Sequence, residues 1–185
     1  MTAGLYQRVI GAGWENVEES VRKAHLSAGV LRARGTFRIT RGQGHMAHLL
    51  AWLLRLPAPA QAAPVYLRIA AHGMGERWLR TFGCKRLQSM QRAGPCGTLI
   101  EQFGFLELRF RLIVTRGGID YRQQGAALRR GRLCLPLPPS MSPLVSARER
   151  AVAETARSAV LVTVSVPGVG LLIRYDGELQ VEEAL

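Results

Sequence analysis

The sequence predicts an α+β fold in which N-terminal helices pack on a strongly curved, mainly antiparallel β-sheet or barrel of about ten strands. Three observations predict it. Apolar residues keep helical spacing near the N-terminus and once more around residues 43–56, while most of the remainder alternates with a period of two. Short alternating segments are separated by glycine or proline turns, the pattern of a meander. A flat sheet of about ten strands would expose two long edges, so this one has to curl or close on itself.

Residues 1–26 form the helical N-terminal segment. Leu5, Tyr6, Val9 and Ile10 make one stripe, Gly11-Ala12-Gly13 turns the chain, and Val17, Val21 and Ala24 resume the stripe. Asn16 with Glu19 three places on has the form of a helix cap. The β-rich body spans 30–181 and begins with a strand whose Leu31, Ala33, Gly35, Phe37 and Ile39 face one way. Arg32, Arg34, Thr36, Arg38 and Thr40 face the other, which gives a half-buried strand with a basic outer surface. The helix inserted at 43–56 is ended by Pro57-Ala58-Pro59. Met46, Leu49, Leu50, Trp52, Leu53 and Leu54 leave it few polar positions, so it is expected to be a buried packing helix. The alternative is a helix lying in a membrane interface or over a lipid pocket.

Strands are expected throughout the chain beyond Pro64. Leu106, Leu108, Phe110, Leu112 and Val114 mark the clearest, with Glu107, Arg109 and Arg111 between them, and Gly117-Gly118 reads as a hairpin turn into Ile119–Gln123. Pro136 to Pro143 is a loop, after which strands cover 144–152, 160–166 and 171–181. Residues 1–185 together are expected to be a single domain.

Hydrophobic residues make up 48% and charged residues 21%, a globular balance that excludes disorder as the main state. No apolar run approaches the roughly 18 residues of a membrane helix. The start, Met1 to Tyr6, has no basic-then-apolar form, and the signal-like stretch from Met46 to Ala62 follows a long patterned segment, so a cytoplasmic location is expected. Cys84, Cys96 and Cys134 are odd in number and widely spaced, which fits neither a disulfide framework nor a zinc site; buried reduced thiols are expected. The net charge of +12 raises polyanions as partners, but the basic residues are almost all arginine and spread along the chain. Specific nucleic-acid recognition is therefore not expected.

Other motifs are weak. Gly11-Ala12-Gly13 lacks the strand and third glycine of a dinucleotide fingerprint. His45 and His48 share a helical face but lack further ligands nearby, so they are expected to be solvent-facing or satisfied histidines. Neither a metal nor a cofactor is expected, and Pro136-Leu137-Pro138-Pro139 reads as a rigid connection.

The unusual feature is polar residues with inward parity. Glu76, Trp78, Arg80 and Phe82 share one face, as do Leu99, Glu101 and Phe103. If the aromatic rings face the core, Glu76, Arg80 and Glu101 face it too. They would form either a buried ion-pair cluster or a polar anchor inside an apolar pocket.

Several stretches together have a familial look: Arg41-Gly42 before an apolar helix ending in Leu56-Pro57, Glu76 to Phe82, Leu99-Ile100-Glu101-Gln102-Phe103-Gly104, Pro136-Leu137-Pro138, and Gly170 to Gly177. Across nearly the whole chain these resemble a bacterial domain of unknown function that occurs alone or fused behind saccharopine-dehydrogenase-like reductase domains. The resemblance implies no activity. By association it implies a reductase partner and a role in holding an apolar or acidic compound.

The leading expectation is thus a non-catalytic small-molecule or accessory domain for an apolar or lipid-like carboxylate, with Glu76, Trp78, Arg80, Glu101 and Tyr175 as ligand-binding residues. An enzyme using Glu76, Glu101 or Tyr175 as acid or base is the second class. A basic binder of nucleic acid or anionic membrane is the third.

Overall fold

In the computed structural model, which describes residues 3–25 and 29–182, strands dominate and pair antiparallel. The chain opens with α1 (Leu5–Ile10), a 3-10 turn (Gly11–Asn16) and α2 (Glu19–Lys23). The strands β1 (Val30–Arg41), β2 (Ala60–His72), β3 (Gly75–Phe82), β4 (Lys85–Ala93), β5 (Thr98–Phe103) and β6 (Leu106–Thr115) follow, with α3 (His45–Leu53) inserted between β1 and β2. Then come β7 (Gly118–Arg130), β8 (Leu133–Pro136), β9 (Leu144–Ala151), β10 (Arg157–Val166) and β11 (Gly170–Glu182).

Neighbouring strands run in the order β6-β5-β4-β3-β2-β1-β11-β10-β9-β7, and β6 also pairs with β7. That last pairing closes a ten-stranded antiparallel barrel, with β8 as an extra strand on β7. The expected curled sheet is therefore a closed one, which removes the edges from its wall. The first half of β7 pairs with β9 and the second half with β8. Where β9 and β7 part, the Gln123 side chain bridges the seam, accepting from Val145 N at 2.6 Å and donating to Pro143 O at 2.8 Å.

Alternation sets the core. β1 buries Leu31, Ala33, Phe37 and Ile39 as its pattern requires, and β6 buries Leu108, Phe110 and Leu112 while exposing Arg109 and Arg111. The short α1 plugs one end of the barrel with Leu5, Tyr6 and Val9, and Trp14, Val17 and Val21 complete that lid. The opposite end carries α3, the β5–β6 turn, β8 and the proline loop.

Several expectations are corrected. Asn16 ends the 3-10 turn, and the residue at the head of α2 is Glu18, with no side-chain cap. Gly11 to Gly13 belong to that turn of helix. The hairpin between β6 and β7 turns on Arg116 and Gly117, both at positive φ, because Thr115 pairs with Gly118. β2 starts at Ala60, ahead of Pro64, and β8 is a short strand just before the proline loop that was not singled out in advance. The three cysteines are exposed, because Cys84 and Cys96 sit in turns and Cys134 on the outer β8.

The largest correction is α3. It lies against β11 and β1 through Ala47 and Ala51, and the outward-pointing Leu172 of β11 is buried at this wall. Met46, Leu49, Trp52, Leu53 and Leu54 are exposed, so the helix is not the buried one expected. Small side chains allow the close approach, and the large ones are left outside. His45 and His48 are solvent-facing. Arg41 staples the return of the insert, donating to Pro57 O at 2.8 Å and to Leu56 O. Among the described residues, no helix is long and apolar enough to cross a membrane.

Candidate functional site

The alternation of β3, β4, β5, β7 and β9 sends polar side chains as well as apolar ones into the barrel. Arg80 on β3 donates from Nη1 to Ser89 Oγ at 3.0 Å and from Nη2 to Glu101 Oε1 at 3.1 Å. Ser89 itself donates to Glu101 Oε1 at 2.6 Å. The Arg80 guanidinium also stands 4.8 Å from the centre of the Trp78 ring, where the ring quadrupole favours a cation. Arg80 and Glu101 are thus brought together, as the parity of their strands predicts. Glu76 holds a different place: it accepts the Trp78 indole N–H at 3.0 Å.

A second polar group lies beneath α1. The Tyr6 hydroxyl is 2.9 Å from the Gln91 amide and 3.1 Å from the Tyr121 hydroxyl. Tyr121 donates to Glu149 Oε1 at 2.8 Å, and the other Glu149 oxygen is 2.7 Å from His25 Nε2. The His25 ring stacks on Tyr6 with centroids 3.7 Å apart, and its Nδ1 is buried with no partner among the described residues. These residues belong to the lid and to the walls below it, so the network ties the N-terminal segment to three different strands, β4, β7 and β9.

The electrostatics follow from burial. It opposes the charge of Arg80, but Glu101 more than offsets this and raises Arg80 above its ordinary value. Burial likewise works against the Glu149 carboxylate, yet the His25 charge and hydrogen bond, with Tyr121 and Arg80, hold it below its ordinary value. Burial first, and then Glu149, pushes the Tyr6 and Tyr121 phenols well up. Tyr175 rises to about 12 through burial, although Arg80 pulls the other way. All three phenols therefore stay protonated at neutral pH and can donate hydrogen bonds.

Tyr175 sits apart from the networks. Its ring meets Phe82 and Phe37 at 5.3 and 6.0 Å, and its hydroxyl has no hydrogen-bond partner among the described residues. It faces the half of the barrel toward α3. There the inward side chains Phe103, Leu106, Leu137, Val145 and Val164 are apolar and only partly covered. The half toward α1 is filled by the core and the tyrosine–glutamate network. Two concavities lie outside these layers. One of ≈ 540 Å³ lies on the outer wall, where Arg34, Arg38 and Arg157 surround Gly35 and Gly177; the other, of ≈ 500 Å³, lies between α2 and the β9–β10 turn.

Sequence reasoning missed Tyr6, His25, Ser89, Gln91, Tyr121 and Glu149. Tyr6 passes for part of an apolar stripe. Ser89, Gln91, Tyr121 and Glu149 obey the same inward parity that singles out Glu76 and Glu101, and applying it to β4, β7 and β9 would have found them.

No curated protein and no solved structure matches the chain. The family described as a domain of unknown function (DUF4166) matches residues 17–179, which takes in all or part of every strand of this barrel and both of its interior polar groups apart from Tyr6. The chain belongs to that family.

Proposed function

We propose that the chain is a non-catalytic binding protein for a small apolar carboxylate of lipid-like character. The observation that carries this reading is the Tyr175 hydroxyl, which makes no hydrogen bond among the described residues and feels the Arg80 charge at the inner end of the apolar half of the barrel. Arg80 has more N–H donors than Ser89 and Glu101 use, since a guanidinium carries about five. A ligand carboxylate could therefore take a remaining donor of Arg80 and the Tyr175 hydroxyl, with its chain along Phe103, Val145 and Val164. Trp78 and Glu76 support the site from the side, by stacking on Arg80 and by fixing the indole. The resemblance to domains fused behind saccharopine-dehydrogenase-like reductases suggests a setting for this reading: a bacterial, cytosolic reductase would make or use the held compound.

Titration calorimetry with dodecanoate tests this. One-to-one binding is expected, with dodecanol binding more weakly. Tyr175→Phe keeps the packing against Phe37 and Phe82 and should weaken dodecanoate binding about tenfold, the effect of one hydrogen bond to a charged group. Equal affinity for the acid and the alcohol, together with an unchanged Tyr175→Phe, would remove the proposed anchor.

A further inference from the structure

The barrel end that carries α3 exposes large apolar side chains on several separate elements. Trp52 of α3 is 74% exposed, Phe105 in the β5–β6 turn 71%, and Leu133 of β8 72%. Leu49 and Leu53 of α3 and Leu135 of β8 add to them, and the loop leading into β9 continues the ring. Exposed apolar area of this kind is rare on a surface with no partner. Trp in particular is favoured where an apolar body meets a polar boundary.

Charge is arranged to match. Arg55, Lys85, Arg86, Arg130 and Arg132 are exposed at this same end. Its carboxylate, Glu107, is held between Arg92 and Arg129 and offers no free negative charge. Glu15, Glu18, Glu19 and Glu154 lie at the opposite end, on the N-terminal segment and the β9–β10 turn. Arg8, Lys23, Arg77, Arg116 and Arg157 are exposed there as well, so that end is of mixed charge, while the end with α3 is apolar and basic.

The shape of the apolar surface selects the partner. A peptide or helix would need one continuous groove, whereas these side chains stand on separate elements around a rim. A broad surface, unlike a groove-bound segment, can meet side chains carried on separate elements of one end.

We propose that the chain docks end-on to an anionic lipid bilayer. Trp52, Leu53, Phe105, Leu133 and Leu135 enter the headgroup layer, and the surrounding arginines rest on acidic headgroups. This inference does not depend on whether the barrel holds a ligand, because it rests on the outer rim alone.

Trp52 provides the readout, since Trp14 and Trp78 are 4% and 5% exposed and already shielded from water. Vesicles of phosphatidylcholine mixed with phosphatidylserine should shift its emission to the blue and sediment the protein. Vesicles of phosphatidylcholine alone should do so far less, and added salt should release the protein. Trp52→Phe should abolish the spectral shift but keep the sedimentation. Leu133→Ser with Leu135→Ser, both on an exposed strand, should leave the melting curve unchanged and cut vesicle binding about tenfold or more, as expected for lost apolar insertion. Failure to sediment with anionic vesicles would overturn the proposal, as would equal binding to neutral ones. A concentration-dependent dimer that shields Trp52 without lipid would overturn it too, by assigning the rim to a second copy of the chain.

Discussion

Glu107 shows how a side chain can point outward from a strand and still be buried. It lies on the solvent side of β6, but Arg129 and Arg92 fold over it, leaving its side chain 3% exposed. Burial would raise its pKa, and the two guanidinium groups overcome that and lower it. Glu107→Gln should cost about 1.5 kcal/mol at neutral pH in denaturant unfolding, the low end for hydrogen bonds to a charged group because Arg92 is well exposed. With a depressed folded-state value, the stabilisation is complete above the ordinary carboxyl range and is lost as pH falls through the lowered value. The gap between wild type and variant should therefore close on acidification, and a gap that persisted in acid would deny the charge its role. At this scale the sequence was legible where strand parity was clear, at Arg80 and Glu101. It was opaque at His25 and Tyr6, whose partners lie on strands far away in sequence, and it did not show that the neighbouring Trp78 indole donates to Glu76.

Elements were legible in proportion to the contrast along them. The alternation of β6 is sharp, and Phe110, packed edge-on against Tyr121 with centroids 6.1 Å apart, should lose about 3–5 kcal/mol on truncation to Ala. Arg109→Ala, on the exposed face, should stay within about 0.5 kcal/mol; similar melting curves for the two would mean that the register is wrong. In α3 nearly every position is apolar, so periodicity has no contrast to work with, and the alanines decide the buried side. β8 escaped notice because four residues between glycine and prolines carry too little pattern. Close approach between elements is hidden as well. A Cβ on Gly35 would sit 1.9 Å from the Glu178 backbone oxygen, where β1 and β11 pair. Gly35→Ala should thus cost about 3 kcal/mol, as overpacking does. Gly104→Ala, at positive φ but in open space, should cost about 1 kcal/mol from the backbone alone. Chemical denaturation of both variants checks the contrast.

For the whole molecule, the number of strands and the need to hide their edges were enough to foresee a curled or closed sheet, but not which strands meet to close it. The net charge of +12 is likewise visible in the sequence, and the way the carboxylates gather toward the end with α1 is not. Because the arginines are spread over the walls and both ends, double-stranded DNA should bind weakly at low salt and dissociate steeply as salt rises, without sequence preference. A tight, sequence-selective complex at physiological salt, measured by fluorescence anisotropy, would show that the basic surface reads bases. The pairing of β1 with β11 also has a consequence for how the chain is made. Arg32 stands opposite Glu182, so a strand that leaves the ribosome early waits for the thirteen residues of β11 before its second edge is covered. Until then the nascent protein is an open ribbon, bounded by β1 and β10, that can be extended by any other chain with a free strand. Synthesis of this one segment turns an aggregation-prone intermediate into a self-contained particle, and the interval before it emerges is when a chaperone has most to do.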